Sequence, residues 1–156
     1  MKTCCFIGHR FVNYSEDLHN KIKSVIKSLL ENGVYRFLFG SKSQFTDICA
    51  EIASELKKEY PFLIRVYVRA EYEYIDKDYE SYLLKRFDET YFADKAHNAG
   101  RLVYVMRNEE MIDLSDVCVF YYYLDNYDSS KSSGTKIAYN YAVKKHKDII
   151  NVFDCN

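Results

Sequence analysis

Five short β-rich runs alternating with segments of helical period predict an α/β fold. It takes the form of a single Rossmann-like domain over residues 1–156, a five-stranded, mainly parallel sheet in the order 3-2-1-4-5 flanked by helices. Two further observations support that class. Strand–helix alternation implies parallel strands joined by right-handed crossovers. The loops after the first, second and fourth runs each carry a glycine beside small or basic residues. Sheets of this kind bind ligands at the carboxyl ends of their strands, where strand order reverses.

The first strand is read at 3–7, from Thr3-Cys4-Cys5-Phe6-Ile7. Ser15 with Glu16 and Asp17 opens the first helix, Leu18, Ile22, Val25, Ile26, Leu29 and Leu30 share one face of it, and Asn32-Gly33 closes it. After a strand at 35–39, Phe45, Ile48, Cys49, Ile52, Ala53 and Leu56 repeat the helical spacing. Pro61, the single proline, punctuates the approach to the third strand, 63–68. The stretch 69–100, dense in Tyr, Asp, Glu and Lys, is expected to hold a helix at about 78–88. A further helix takes part of 99–113, ending at Leu114-Ser115-Asp116 before a strand at 117–123. The last helix, about 134–146, sets Ile137, Ala138, Tyr141 and Ala142 on one face, ahead of a strand at 148–153.

Composition excludes several classes. A hydrophobic share of 48% excludes disorder, and no apolar run approaches the length of a membrane span. The N-terminus shows no signal-peptide cleavage pattern, so a cytoplasmic location is expected, with Cys4, Cys5, Cys49, Cys118 and Cys155 as thiols. Cys4 and Cys5 are strand neighbours pointing to opposite faces, and no C-x-x-C occurs, so neither a metal site nor a cofactor is expected. The formal charge of −1 argues against a general nucleic-acid binder. Sixteen tyrosines against no tryptophan suit partly buried surfaces, interfaces and base-stacking pockets alike.

Three loops carry anion-binding chemistry. Gly8-His9-Arg10 ends a strand with a residue that permits a sharp turn, then two groups able to meet an anion, of which His9 can equally cap the strand end. Gly40-Ser41-Lys42-Ser43 leads into a helix whose free N–H groups and hydroxyls can cradle an anion, although Ser43 or Thr46 also fits an ordinary N-cap. It lacks the spacing of a P-loop. Ser132-Ser133-Gly134-Thr135 starts the last helix, as a phosphate turn or as a plain cap. The connection 124–133, rich in Asp, Ser and Lys, reads as a mobile lid or as a surface loop.

In that order, Gly8-His9-Arg10, Phe39-Gly40-Ser41 with Phe45-Thr46-Asp47, Met106-Arg107-Asn108-Glu109-Glu110-Met111-Ile112-Asp113-Leu114-Ser115-Asp116, and Ser133-Gly134-Thr135-Lys136-Ile137-Ala138 together resemble the SLOG superfamily. That group includes the lonely-guy nucleotide phosphoribohydrolases, the DNA-processing protein DprA and the YpsA-like branch. The opening Cys5-Phe6-Ile7-Gly8-His9-Arg10 is most similar to the YpsA-like branch. The resemblance implies that Arg107 stands at the lonely-guy catalytic arginine and Gly134-Thr135 at the turn that holds a 5′-phosphate. Asn108 replaces a lysine, Ser132-Ser133 replace part of a glycine-rich stretch, and the catalytic glutamate position is Ala138. A methyl group cannot serve as acid or base.

The leading expectation is therefore binding, by sensing or sequestration, of a nucleotide or nucleotide-derived phosphate ligand through Gly8, His9, Arg10, Gly40, Ser41, Ser43, Arg107, Asn108, Ser133, Gly134 and Thr135. An N-glycosidase is the alternative, with Arg107 and Glu110 (or Glu109) as its catalytic groups, and a tyrosine-rich interaction scaffold is a third reading. The resemblance also implies a homodimer, for which 72–92 is the candidate interface, with a tyrosine-lined pocket wall as the alternative reading of that segment. One geometric condition attaches to Arg107. A helix running from Asn98 would carry it about 13 Å away from the mouth of the site at 1.5 Å per residue. The family reading requires a fresh helix start near 103–106.

Overall fold

The computed structural model describes residues 2–123 and 133–153. Most of the proposed lid segment, Ser132 and Cys155 lie outside the described residues. β1 (Lys2–Gly8), α1 (Glu16–Glu31), β2 (Val34–Phe39), α2 (Gln44–Leu56) and β3 (Ile64–Arg69) form the first half of the chain. α3 (Lys77–Leu84), β4 (Glu89–Phe92), α4 (Val103–Leu114), β5 (Val117–Tyr121), α5 (Gly134–Lys144) and β6 (Asp148–Asn151) follow. The strands make one sheet in the order β4-β3-β2-β1-β5-β6, and each neighbouring pair is parallel. β1 therefore lies between β2 and β5, where the direction of winding reverses.

Pleating along β1 separates two apolar layers. Cys4 and Phe6 pack with Ile22, Ile26, Phe45, Cys49 and Ile52 of α1 and α2. Cys5 and Ile7 face Met111, Ile112, Ala138 and Ala142 of α4 and α5. Both faces of the sheet are covered, which explains why its strands read as near-continuous apolar runs. The helix ends follow local chemistry. Ser15 Oγ accepts a hydrogen bond from Leu18 N at 3.0 Å with Glu16 and Asp17 in the first turn, and Gly33 leaves α1 at φ 85°, a conformation that favours glycine.

The sheet has six strands, not the five read from the sequence, and the addition is the edge strand β4. The expected helix at 78–88 stops at Leu84 because the chain turns to pair Glu89–Phe92 with β3. β4 is only four residues long and half-buried, so it carries neither a β-branched run nor apolar alternation. Short edge strands with charged side chains are common, and Glu89 is tied here to Arg36 at 3.0 Å. β5 ends at Tyr121 and β6 at Asn151, both two residues short of expectation. Beyond β5 the Asn151 side chain and His9 take over as partners, accepting from the N–H groups of Tyr122 at 3.1 Å and Tyr123 at 2.9 Å.

The connection to α4 meets the condition set for Arg107. Asn98 (φ 57°) and Gly100 (φ 58°) adopt left-handed backbone, one turn of 3-10 helix covers Gly100–Leu102, and α4 starts afresh at Val103. Among the described residues, no helix is long and apolar enough to cross a membrane.

Asp88 anchors the β4 edge. Its carboxylate accepts from Arg65 N at 2.8 Å, from Arg65 Nε and Nη2 at 3.1 Å each, and pairs with Lys57 Nζ at 3.0 Å. Burial pushes its pKa up, but these donors outweigh burial and hold it at about 2. A depressed carboxylate contributes stability that is present above its unfolded pKa of 3.8 and is lost as pH falls toward about 2. Asp88→Asn is expected to cost about 1–2 kcal/mol at pH 7, after allowance for solvent screening, and much less near pH 2. Urea unfolding at the two pH values checks this, and an equal loss at both would contradict the clamp.

Candidate functional site

The carboxyl ends of β1, β2, β3 and β5 open into a cavity of about 640 Å³, within the range for small-molecule sites. All eleven residues singled out from the sequence line it: Gly8, His9, Arg10, Gly40, Ser41, Ser43, Arg107, Asn108, Ser133, Gly134 and Thr135. The wall also holds Tyr67, Tyr72, Tyr79, Tyr104 and Tyr123, of which Tyr72 and Tyr79 fall in the segment with the alternative reading of a tyrosine-lined wall, and Lys42 of the second anion loop; Arg69 and Glu71 were not singled out from the sequence. The loop after β3 follows the same strand-end rule as the others, but it carries no glycine to flag it. The density of tyrosines in 67–91 was the available signal.

Arg107 is the central side chain. It is only 5% exposed, yet it reaches the cavity wall. Nη1 donates to the carbonyl of Gly40, Nε donates to Asn108 Oδ1 at 3.3 Å, and the guanidinium lies 5.4 Å from the centre of the Tyr104 ring. Nη2 has no hydrogen-bond partner among the described residues, and no buried side-chain nitrogen is left orphaned, so Nη2 is accessible from the cavity. No carboxylate of the described residues pairs with this cation. Burial lowers its pKa, but an arginine stays charged at neutral pH. Gly40 makes the arrangement possible, because a Cβ there would sit 2.8 Å from Arg107 Cδ and Nε and from Met111 Sδ.

Gly8 serves packing. A Cβ on it would overlap the ring of Phe45, so its small size admits α2 against β1. His9 is half-buried and caps the sheet: its Nε2 accepts from Tyr123 N at 2.9 Å, and its ring stacks on Tyr123 with centroids 4.3 Å apart. The N–H donor fixes the neutral tautomer with the proton on Nδ1, and burial lowers the pKa, so His9 offers the cavity an N–H and no charge. Arg10 is exposed at the mouth.

The two helix starts in the cavity wall are not equivalent. At α2, Gln44 N is spent on Arg10 O at 3.0 Å and Thr46 N on the Ser43 N-cap at 3.1 Å, while Ser41, Ser43 and Thr46 bond one another through their hydroxyls. Of the first three N–H groups of α2, only that of Phe45 is left without a partner among the described residues. At α5, Ser133 Oγ accepts from Lys136 N at 3.0 Å and Ser133 O from Ile137 N at 3.1 Å, which leaves the N–H groups of Gly134 and Thr135 unused among the described residues. Nothing lies within 4 Å of a Cβ built on Gly134, so this turn faces open space. The helix dipole adds positive potential there.

Glu110, the carboxylate named for a hydrolase, does not line the cavity. It is buried on another face of α4, where Oε1 accepts from Lys95 N at 2.9 Å, and it also acts on Tyr91. Glu109 is likewise not part of the wall. Ala138 is 2% exposed and packs in the α4–α5 layer, not against the cavity. Among the described residues, four cations line the wall, Arg10, Lys42, Arg69 and Arg107, against one carboxylate, Glu71. The chain as a whole carries a formal charge of −1, so positive charge is concentrated at this site.

A family model described as the YspA SLOG family matches residues 13–154, and the chain belongs to that family. No curated protein matches the chain.

The His9 geometry makes a spectroscopic prediction. Nitrogen-15 shifts should show the Nδ1-protonated tautomer near neutral pH and a titration midpoint below the ordinary value of 6.5. A midpoint at or above that value, or the Nε2 tautomer, would contradict the cap on Tyr123.

Proposed function

We propose that this SLOG-family protein binds a nucleotide or nucleotide-derived phosphate ligand at the carboxyl end of its sheet, and holds it without turning it over. One observation carries the proposal: Arg107 is a buried cation with no carboxylate partner among the described residues, and it opens onto the cavity. Burying a charge is costly unless something pairs with it, and a carbonyl and an amide oxygen offset only part of that cost. A phosphate against Nη2 would supply the missing countercharge, and guanidinium–phosphate pairing is the strong, directional kind of hydrogen bond. The unused N–H groups of Gly134 and Thr135 offer the same anion uncharged donors. Tyrosines along the rest of the wall offer faces on which a base can stack.

The absence of turnover is argued from carboxylates. A glycosidase needs an acid or base at the bond it breaks. Ala138 supplies none at the position the resemblance makes catalytic, Glu110 is engaged elsewhere, and among the described residues the one carboxylate of the wall, Glu71, lies on the loop after β3 and not on α5.

Arg107→Ala should weaken binding of a ribonucleoside 5′-monophosphate by about 1.5–3 kcal/mol, the range for a hydrogen bond to a charged group. Calorimetry on both proteins measures it, with thermal melts to confirm folding, and an unchanged affinity would remove Arg107 from the site. Free base released by the wild-type protein in a chromatographic assay would overturn the binding-only reading.

The proposal includes a two-fold homodimer formed through 72–92, where Tyr72, Tyr74 and Tyr82 are exposed. Light scattering is expected to give twice the chain mass, and a monomer mass at all concentrations would refute the dimer.

A further inference from the structure

We propose that Glu71 reads the sugar: its carboxylate accepts hydrogen bonds from the vicinal hydroxyls of a ribose, so the cavity selects ribonucleotides over analogues that lack those hydroxyls. The inference rests on the nucleotide reading above and adds which part of the ligand lies at the β3 end of the cavity.

A carboxylate in a wall built for an anion works against phosphate binding, since like charges a few ångströms apart repel. Glu71 acts on Arg107 through its charge, but among the described residues it forms no close ion pair with Arg10, Lys42, Arg69 or Arg107. It is held in place instead. The Tyr104 hydroxyl donates to Oε1. Arg69 pins the bend that carries Glu71, its Nη1 donating to the carbonyls of Tyr72 at 2.7 Å and Glu73 at 3.0 Å, while its Nε reaches Thr90 Oγ1 at 3.2 Å. An exposed glutamate on a loop would ordinarily lose its freedom only at an entropic cost. Here two residues from two other elements fix it. Oε2 has no partner among the described residues, so the carboxylate is oriented and still able to accept.

The spacing suits a sugar phosphate. Tyr104 and Arg107 lie one turn apart on α4, a separation of about 5–6 Å between Cβ atoms, and the guanidinium is 5.4 Å from the Tyr104 ring centre. The hydroxyl of the same ring joins Tyr104 to Glu71. A phosphate on Arg107 and a hydroxyl edge on Glu71 are therefore separated by one aromatic ring, comparable to the span of a ribose 5-phosphate. The order β3-β2-β1-β5 places the Gly134–Thr135 turn at the opposite end from Glu71. The Gly134–Thr135 donors and the carboxylate are thereby kept apart, as a ligand with an anionic end and a hydroxyl-bearing end requires.

Calorimetry with the four ribonucleoside 5′-monophosphates and their 2′,3′-dideoxy counterparts, on wild type and Glu71→Ala, tests this. The wild type is expected to bind at least one ribonucleotide about tenfold or more tighter than its dideoxy form, the scale of a hydrogen bond to a charged acceptor. Glu71→Ala should bind both forms alike, with dideoxy affinity equal to or above wild type because a repulsive charge has gone. Glu71→Gln, which keeps the shape and removes the charge, should move the ratio in the same direction. Equal binding of both forms by wild type, or a ratio that survives Glu71→Ala, overturns the role of Glu71 and leaves the nucleotide reading standing. Binding of none of the eight compounds overturns both.

Discussion

The close approach of Arg107 to the backbone of Gly40 is the contact on which the site depends. The side chains of Arg107 and Met111 can take these positions at the end of β2 because residue 40 has no side chain, since a Cβ there would collide with both. Met111 is fully buried in the α4–α5 layer, so the same contact that sets the guanidinium also seats the helix on the sheet. The helix start at Val103, after the left-handed residues Asn98 and Gly100, then determines how far along α4 the arginine falls. Core packing and the position of a functional charge are one arrangement here, with the hydrogen bonds to Gly40 O and Asn108 Oδ1 added to the packing.

Electrostatics follow from that placement. A chain with formal charge −1 carries, among its described residues, four cations and one carboxylate in the wall of its cavity. Concave sites lined with one sign of charge focus their field on an incoming ligand of the opposite sign. Within the cavity the donors are graded. Arg107 is buried, Arg10 and Lys42 are exposed at the mouth, and the uncharged N–H groups of Gly134 and Thr135 begin α5. α2 contributes less than its sequence suggests, because Ser43 and the Arg10 carbonyl already engage two N–H groups of its first turn. Two loops that look alike as strings of glycine and serine differ once their hydrogen bonds are counted.

What could be read from the sequence follows physical lines. The order of the central strands was legible because both faces of the sheet are buried and each strand carries a continuous apolar run. β4 was not, since Glu89–Phe92 is a short edge strand whose half-exposed residues show no alternation. Glycine marked three of the loops lining the cavity, although at Gly8 the reason is the ring of Phe45 and not a ligand. The β3 loop went unnoticed because its contribution comes from Arg69, Glu71 and tyrosines, residue types that an exposed loop also carries. The location of Glu110 was beyond reach for a similar reason. Which face of α4 meets the cavity depends on where that helix begins, and its apolar residues do not define a single face.

The central claim is that an anion completes the coordination of Arg107. A crystal structure of the protein with a bound ribonucleoside 5′-monophosphate tests it most directly. The expected result is a phosphate oxygen within hydrogen-bond distance of Arg107 Nη2, with the N–H groups of Gly134 and Thr135 on the same phosphate. A phosphate held only at the mouth by Arg10 and Lys42, with Arg107 unengaged, would contradict the account.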